Sequence, residues 1–289
     1  MRMRTATPVL LLLVLAACSP GGGSSPVSAQ AVPPVPPPTR EVRSLILPLD
    51  SYEQSAADIR AMAAAQDVRM KRCMERKGLR WQVIPQPPAE APTELNRRRY
   101  GIIEPKISRV FGYHMTPDTP QRKRYDSASR ERLRNLTRKE SVAAFGHDGE
   151  SGCDLAAYES LVKGGKPDYS MFNRISGDTY EASMKDPRVL KAMSSWSACM
   201  KKKGYDYSHP VKAASDREWM KSRRPTRKEL ATATSDVSCQ KSSRITRIWY
   251  AAEKQLQGRV IKKNSEELKA FRSVTQARNE AVRDALKQD

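Results

Sequence analysis

The chain has 289 residues and carries 52 Lys and Arg against 32 Asp and Glu, a formal net charge of +20. The length suffices for one large domain or two small ones, and the charge makes polyanions the natural partners. Aromatic residues are only 6% of the chain, with 4 Phe beside 11 Met, which favours helices packed through small and flexible side chains over a large sheet.

At the amino end, Arg2 and Arg4 precede the apolar run Val9 to Ala17. A basic start followed by a short apolar core predicts a signal peptide over 1–17, because a membrane-spanning helix needs ~20 apolar residues. Leu15-Ala16-Ala17-Cys18 follows directly and resembles the lipobox of bacterial lipoproteins. The resemblance implies that the Cys18 thiol receives a diacylglycerol, that the chain is cut before it, and that the new amino end can be acylated. The protein would then be lipid-anchored on the extracytoplasmic face of the cell membrane. The alternative is a soluble secreted protein cut after Val27-Ser28-Ala29, but that site lies well past the apolar core, whereas Cys18 abuts it. Export removes nucleic acid as an expected partner. Phospholipid head groups and anionic wall polymers take its place, reached through the lipid anchor, or a membrane protein complex does. No cofactor is expected beyond the covalent lipid.

Ser19 to Thr39 is rich in Pro, Gly and Ser and has nothing with which to build a core, so 18–42 reads as a disordered linker. Fully stretched at ~3.3 Å per residue, the tether would reach ~70 Å, a length that argues against a domain pressed flat on the membrane.

The body is expected to be all-α, as a duplicated helical unit with halves at 43–170 and 171–289. Asp50 and Glu53 suggest a capped helix start, with Tyr52, Ala56, Ile59, Met62, Met70 and Cys73 at helical spacing and Gly78 as the stop. The segment 82–120 carries prolines at 85, 87, 88, 92, 105, 117 and 120, which exclude a long helix. Such a long irregular stretch is often functional, which makes it the candidate binding surface, with Arg99, Tyr100, Tyr113 and His114 as its candidate ligand residues. His114 also fits a packed turn residue beside aromatics. Short helices are expected at 121–135, 138–145, 151–163 and 210–221. Asp186-Pro187 opens another helix, with Val189, Met193, Trp196 and Met200 as its stripe and Gly204 as its stop. Thr226 to Glu229 reads as a capping box opening a long helix through Leu230, Val237, Ile248, Trp249 and Leu256, with a break near Gly258. The last helix, 259–289, bears a narrow apolar stripe that either packs on the body or docks a partner subunit, for instance a transporter.

Two segments repeat each other. Cys73-Met74-Glu75-Arg76-Lys77-Gly78 matches Cys199-Met200-Lys201-Lys202-Lys203-Gly204, and an apolar residue and then an aromatic (Trp81 or Tyr207) follow each. Glycine at each helix end lets the next apolar residue fold back on the last turn. One further cysteine, Cys153 or Cys239, comes after each copy. With Cys18 assigned to lipid, four cysteines in an oxidising compartment favour two disulfides over a metal site. Three connectivities exist; duplication favours Cys73 with Cys153 and Cys199 with Cys239.

The duplicated Cys-Met-x-x-Lys-Gly, the pair Arg99-Tyr100-Gly101-Ile102 and Phe111-Gly112-Tyr113-His114, Gly152-Cys153 and Asp236-Val237-Ser238-Cys239 together resemble an uncharacterised family of secreted lipoproteins common in actinobacteria such as streptomycetes. The resemblance covers most of the chain after the tether. It implies an envelope address and a disulfide-bonded body, and it implies no reaction.

No nucleophile elbow, phosphate loop, zinc motif or Cys-His pair occurs. Glu131, Glu140 and Glu229 read as helix-surface charges or caps. A non-catalytic envelope protein is therefore the first expectation, and a cell-wall hydrolase without a recognisable motif is an alternative.

Overall fold

The computed structural model describes residues 33–87 and 95–287. The segments expected to be a signal peptide and a tether, up to residue 32 and with Cys18 among them, lie outside the described residues, as do Pro88 and Pro92. The described residues from Pro34 onward belong to one compact unit.

The body starts earlier than the sequence suggests. The stretch assigned to the linker up to residue 42 is fastened at its end. The Arg97 guanidinium donates to the Pro36 carbonyl (2.9 Å), Thr39 N donates to Glu104 Oε1 (3.0 Å), and Val42 is buried. A single turn, α1 (Arg40–Arg43), leads into a 3-10 turn, Pro48–Tyr52. Asp50 caps that turn by accepting from Leu47 N (2.7 Å) and does not start the long helix. That helix, α2 (Ala56–Arg76), begins five residues later, on a reciprocal capping box between Ser55 and Asp58. Ile59 is correspondingly rotated out of the core and is 56% exposed.

The Pro-rich segment contains one short helix, α3 (Pro105–Phe111), with proline at its first position. Next come α4 (Pro120–Arg134), α5 (Arg138–Phe145), a two-residue hairpin pairing Gly146–His147 with Glu150–Ser151, and α6 (Cys153–Leu161). Helix α7 (Tyr169–Met184) is weakly marked in the sequence, because two of the four residues it buries, Thr179 and Ser183, are hydroxylic and mask the apolar period. Helix α8 (Pro187–Lys202) starts on Asp186 as expected. The expected helix at 210–221 splits into α9 (Pro210–Ala214) and a 3-10 turn, Arg217–Lys221.

The long helix expected after Thr226 is two helices. Helix α10 (Arg227–Ser243) stops at Arg244, which takes a left-handed φ of 57°, and α11 (Ile245–Lys263) runs straight through Gly258. The break therefore falls at Arg244 and not at Gly258, where no side chain or turn opposes the helix. Helix α12 (Ser265–Lys287) follows. Its apolar stripe, Leu268, Phe271, Val282 and Ala285, is buried inside the molecule. Leu268 and Phe271 pack with Leu49, Phe172 and Ile175, while Val282 and Ala285 pack with Ala65 and Leu161. The idea that segment 259–289 offers this stripe to a partner helix is corrected accordingly: α2, α6 and α7 already occupy it.

Both disulfides form as the duplication suggested, Cys73–Cys153 across 80 residues and Cys199–Cys239 across 40. Each staples a helix end to a second helix. In both copies the residue after the glycine donates back to the methionine carbonyl, Leu79 N to Met74 O and Tyr205 N to Met200 O, each at 3.0 Å. Trp81 closes the first copy: its Nε1 donates to Asp67 Oδ1 (2.7 Å), and the Arg132 guanidinium lies 4.3 Å over its ring. Tyr207 closes the second through its hydroxyl on Asp216 (2.7 Å). The halves interlock. The largest apolar cluster joins Leu45, Tyr100, Ile107 and Phe111 to Val189, Trp196, Val237 and Trp249, and the first disulfide has its own cluster with Met70, Met74 and Trp81.

Candidate functional site

The arm from Arg97 to His114 was the expected binding surface, and the structure turns its candidate residues inward. Tyr100 and Tyr113 are buried, at 1% and 6% exposure, and Arg99 and His114 keep only a fifth of their side chains exposed. The reason lies on α10 and α11. Glu229, Thr232, Asp236 and Gln240 recur at helical spacing on the buried face of α10, as do Thr246, Glu253 and Gln257 on that of α11. A polar stripe of this kind is stable inside a protein only when its groups find partners. The arm supplies many of them, although Glu229 Oε2 has no hydrogen-bond partner among the described residues.

Glu253 receives the Arg99 guanidinium in a bidentate pair and the Tyr100 hydroxyl at 2.8 Å, and Gln257 Nε2 donates to it from the next turn at 3.0 Å. Burial works against the Arg99 cation, but the hydrogen bonds and charge of Glu253 outweigh it and raise its pKa. Gln257 in turn accepts from Leu49 N at 2.9 Å, tying in the first 3-10 turn. Asp236 takes three donors: Trp196 Nε1 (2.9 Å), Gln240 Nε2 (3.0 Å) and the Tyr113 hydroxyl (3.1 Å). Complete burial pushes the Asp236 carboxyl up to about 7 despite those donors. Gln240 also donates to the Ile102 carbonyl (3.0 Å) and accepts from the Thr246 hydroxyl (2.7 Å).

Glu229 is fully buried, which corrects its reading as a surface charge or cap. Half of the expected capping box exists, with Glu229 N donating to Thr226 Oγ1 at 3.1 Å. The Glu229 carboxylate does not turn back to complete it. It accepts instead from Tyr113 N (2.8 Å), His114 N (3.1 Å) and His114 Nδ1 (2.8 Å). His114 Nε2 meets the Ser222 carbonyl at 2.9 Å, so both ring nitrogens face acceptors. Burial lowers the His114 pKa, and the bonds to Glu229 and Ser222 more than reverse that, for a net rise.

This clamp explains two of the short motifs. Gly101 and Gly112 lie where the arm's backbone passes closest to the polar stripe. A Cβ on Gly112 would sit 2.6 Å from Glu229 Oε1, and one on Gly101 would sit 2.9 Å from both Gln240 Nε2 and Pro210 Cβ. Both positions also have positive φ, +94° at Gly101 and +55° at Gly112. The motifs are fold determinants, and Arg99, Tyr100, Tyr113 and His114 together form an internal fastening. The missed partners, Glu229, Asp236 and Glu253, were readable as polar residues at the apolar period.

The exposed chemistry lies elsewhere. Helix α4 spans 15 residues and buries none of them. Of its cations, Arg122 pairs with Asp126, and Arg132 is drawn to Asp67. Lys123, Arg124, Arg130 and Arg134 have no ion-pair partner among the described residues. Lys123, Arg130 and Arg134 fall at spacings that share one helix face, and Arg138 and Lys139 are exposed at the start of α5. A cleft of about 310 Å³ beside α4 is lined by Arg80, Trp81, Arg132 and Asn135, but Glu131 and Glu140 also line it and make it a poor seat for an anion. Among the described residues no group of His, Cys, Asp and Glu is placed to hold a metal, and no helix is long and apolar enough to cross a membrane.

The fold and its exposed face define a disulfide-stapled, all-helical body with a basic flank. Comparison with protein-family models, with curated proteins and with solved structures finds no match for this chain.

Proposed function

We propose that this chain is a non-catalytic protein of the cell envelope, lipid-anchored through Cys18, whose basic surface binds an anionic component of the wall or membrane. One observation carries the reading: α4 buries none of its residues and holds four cations without ion-pair partners among the described residues. A helix so composed contributes little to a core, and its charges cost stability through mutual repulsion unless a polyanion meets them. The net charge of +20 and the lipobox-like Leu15 to Cys18 agree with that use. Asp236, Glu253 and the Oε1 of Glu229 are held by donors of the fold itself, which supports a structural role, while Glu229 Oε2 has no hydrogen-bond partner among the described residues.

Two measurements test the proposal. Binding of the full chain to inorganic polyphosphate should weaken linearly on a log–log plot as salt rises, because each neutralised anionic site releases counterions. A flat salt dependence contradicts a polyanion binder. For the anchor, mass spectrometry of the mature amino end should find a diacylglyceryl cysteine at position 18, and recovery of unmodified Gln30 as first residue overturns it.

A further inference from the structure

Residues 113–115 and 216–228 meet at the end of the clamp and place two large apolar side chains in solvent. Tyr113 stacks on Trp219 with ring centroids 5.6 Å apart, and His114 Nε2 meets the Ser222 carbonyl at 2.9 Å. Met115 and Met220 each directly follow one of these contacting residues, His114 and Trp219, in the chain. Met220 is 84% exposed and Met115 76%, the highest values among the large exposed apolar residues of the described body. Around them the chain is strongly basic. Asp216 to Lys228 contains Arg217, Lys221, Arg223, Arg224, Arg227 and Lys228, all exposed, against only Asp216 and Glu218. Both acids are engaged: Glu218 pairs with Lys221 at 2.5 Å, and Asp216 accepts from the Tyr207 hydroxyl and from Glu218 N. The next acid, Glu229, is buried under His114.

We infer that this face is a membrane-contact surface, in which Met115 and Met220 enter the head-group region of an anionic bilayer while the surrounding Arg and Lys bind its phosphates. Charge complementarity decides the occupant. Each cation near an anionic bilayer is attracted to it, and a flexible apolar side chain at the same depth adds burial that a soluble polyanion does not offer. Methionine suits the position because its unbranched thioether adapts to an irregular environment. The support beneath is rigid, since Trp219 is buried and its Nε1 donates to the Ala213 carbonyl at 2.7 Å. The inference deepens the polyanion reading by naming the bilayer as one partner, and it uses residues other than those of α4.

The test is oxidative footprinting of the two methionines in the full chain, with vesicles of phosphatidylcholine alone, the same vesicles containing phosphatidylglycerol, or polyphosphate in solution. Met115 and Met220 should oxidise about tenfold more slowly with the phosphatidylglycerol vesicles than with phosphatidylcholine alone, as expected for surface attraction of several cations. The combined R223Q, R224Q and R227Q variant should lose that protection, whereas K123Q with R130Q and R134Q should keep it. Equal oxidation with the two kinds of vesicle overturns the inference. Protection by polyphosphate but not by vesicles also overturns it and assigns the face to a soluble polymer. Failure of the α4 reading is seen separately, in the salt dependence of polyphosphate binding.

Discussion

His114 Nδ1 lies 2.8 Å from Glu229 Oε1, which joins the end of the Pro-rich arm to the first turn of α10 across 115 residues of sequence. The same carboxylate takes the backbone N–H groups of Tyr113 and His114, so a single buried acid organises the turn. Because Nε2 faces the Ser222 carbonyl, the ring serves both neighbours fully only as an imidazolium.

A pH dependence follows. The folded-state pKa of His114 is raised above its ordinary value of 6.5. Its contribution to stability is therefore fully present below that value and is lost as pH rises through the folded pKa. Urea unfolding of the protein should show stability declining above neutrality. In H114Q that part of the decline should be absent, and the variant should be less stable by about 1–3 kcal/mol in mild acid, the cost of stripping a partner from a buried acceptor. An unchanged pH profile in H114Q contradicts the imidazolium assignment.

Asp236 acts in the same direction over a lower window. Its carboxyl is raised from 3.8 to about 7 by burial, so the ionised form is disfavoured in the fold and stability falls as pH rises between those values. The slope is about 1.4 kcal/mol per pH unit for one proton. In D236N the amide oxygen can accept from Trp196 and Gln240 while its NH₂ donates to the Tyr113 hydroxyl. Urea midpoints of D236N should accordingly vary less across this window than those of the wild type. If D236N is strongly destabilised even in mild acid, the carboxyl is needed in its ionised form.

Gly112 tests how closely the arm approaches the stripe. In G112A the new methyl would sit 2.6 Å from Glu229 Oε1 at a φ of +55°. The expected loss is several kcal/mol, of order 2–4, from overpacking together with a strained backbone. G78A has open space at its Cβ and should lose less, although its φ of +69° is also positive. Thermal unfolding of the pair separates contact from conformation, and equal losses would remove the close-contact explanation.

The disulfides are expected to matter through the loops they close. Chain-entropy arithmetic gives upper values of about 4.5 kcal/mol for the 80-residue span of Cys73–Cys153 and about 4 kcal/mol for the 40-residue span of Cys199–Cys239. Reduction should lower the urea midpoint sharply, and non-reducing peptide maps should link these partners. A peptide joining Cys73 to Cys199 contradicts the fold.

Legibility in the sequence followed the local strength of each signal. Asp186-Pro187 marks α8 because a cap and a helix-compatible proline act within one turn. The duplicated Cys-Met-x-x-Lys-Gly gave the disulfide pairing because the same short helix end recurs. The break at Arg244 was hidden, since an arginine in the left-handed region carries none of the usual glycine signal. Gly258 misled in the opposite sense: it is open to solvent inside a helix whose buried face, Trp249, Ala252, Glu253 and Gln257, holds the helix together on either side. Arg99, Tyr100, Tyr113 and His114 stand out in the sequence, but the structure buries them against α10 and α11. Their partners are acids at core positions, which a reading that equates acid with surface passes over.

The central functional claim is that α4 meets a polyanion. Its most direct measurement is the salt dependence of polyphosphate binding by the full chain, compared with the K123Q, R130Q and R134Q variant. With no buried residue on α4 the variant should fold normally, and the slope of log affinity against log salt should fall by about 3, one for each contact removed. A variant that folds and keeps the full slope contradicts the claim.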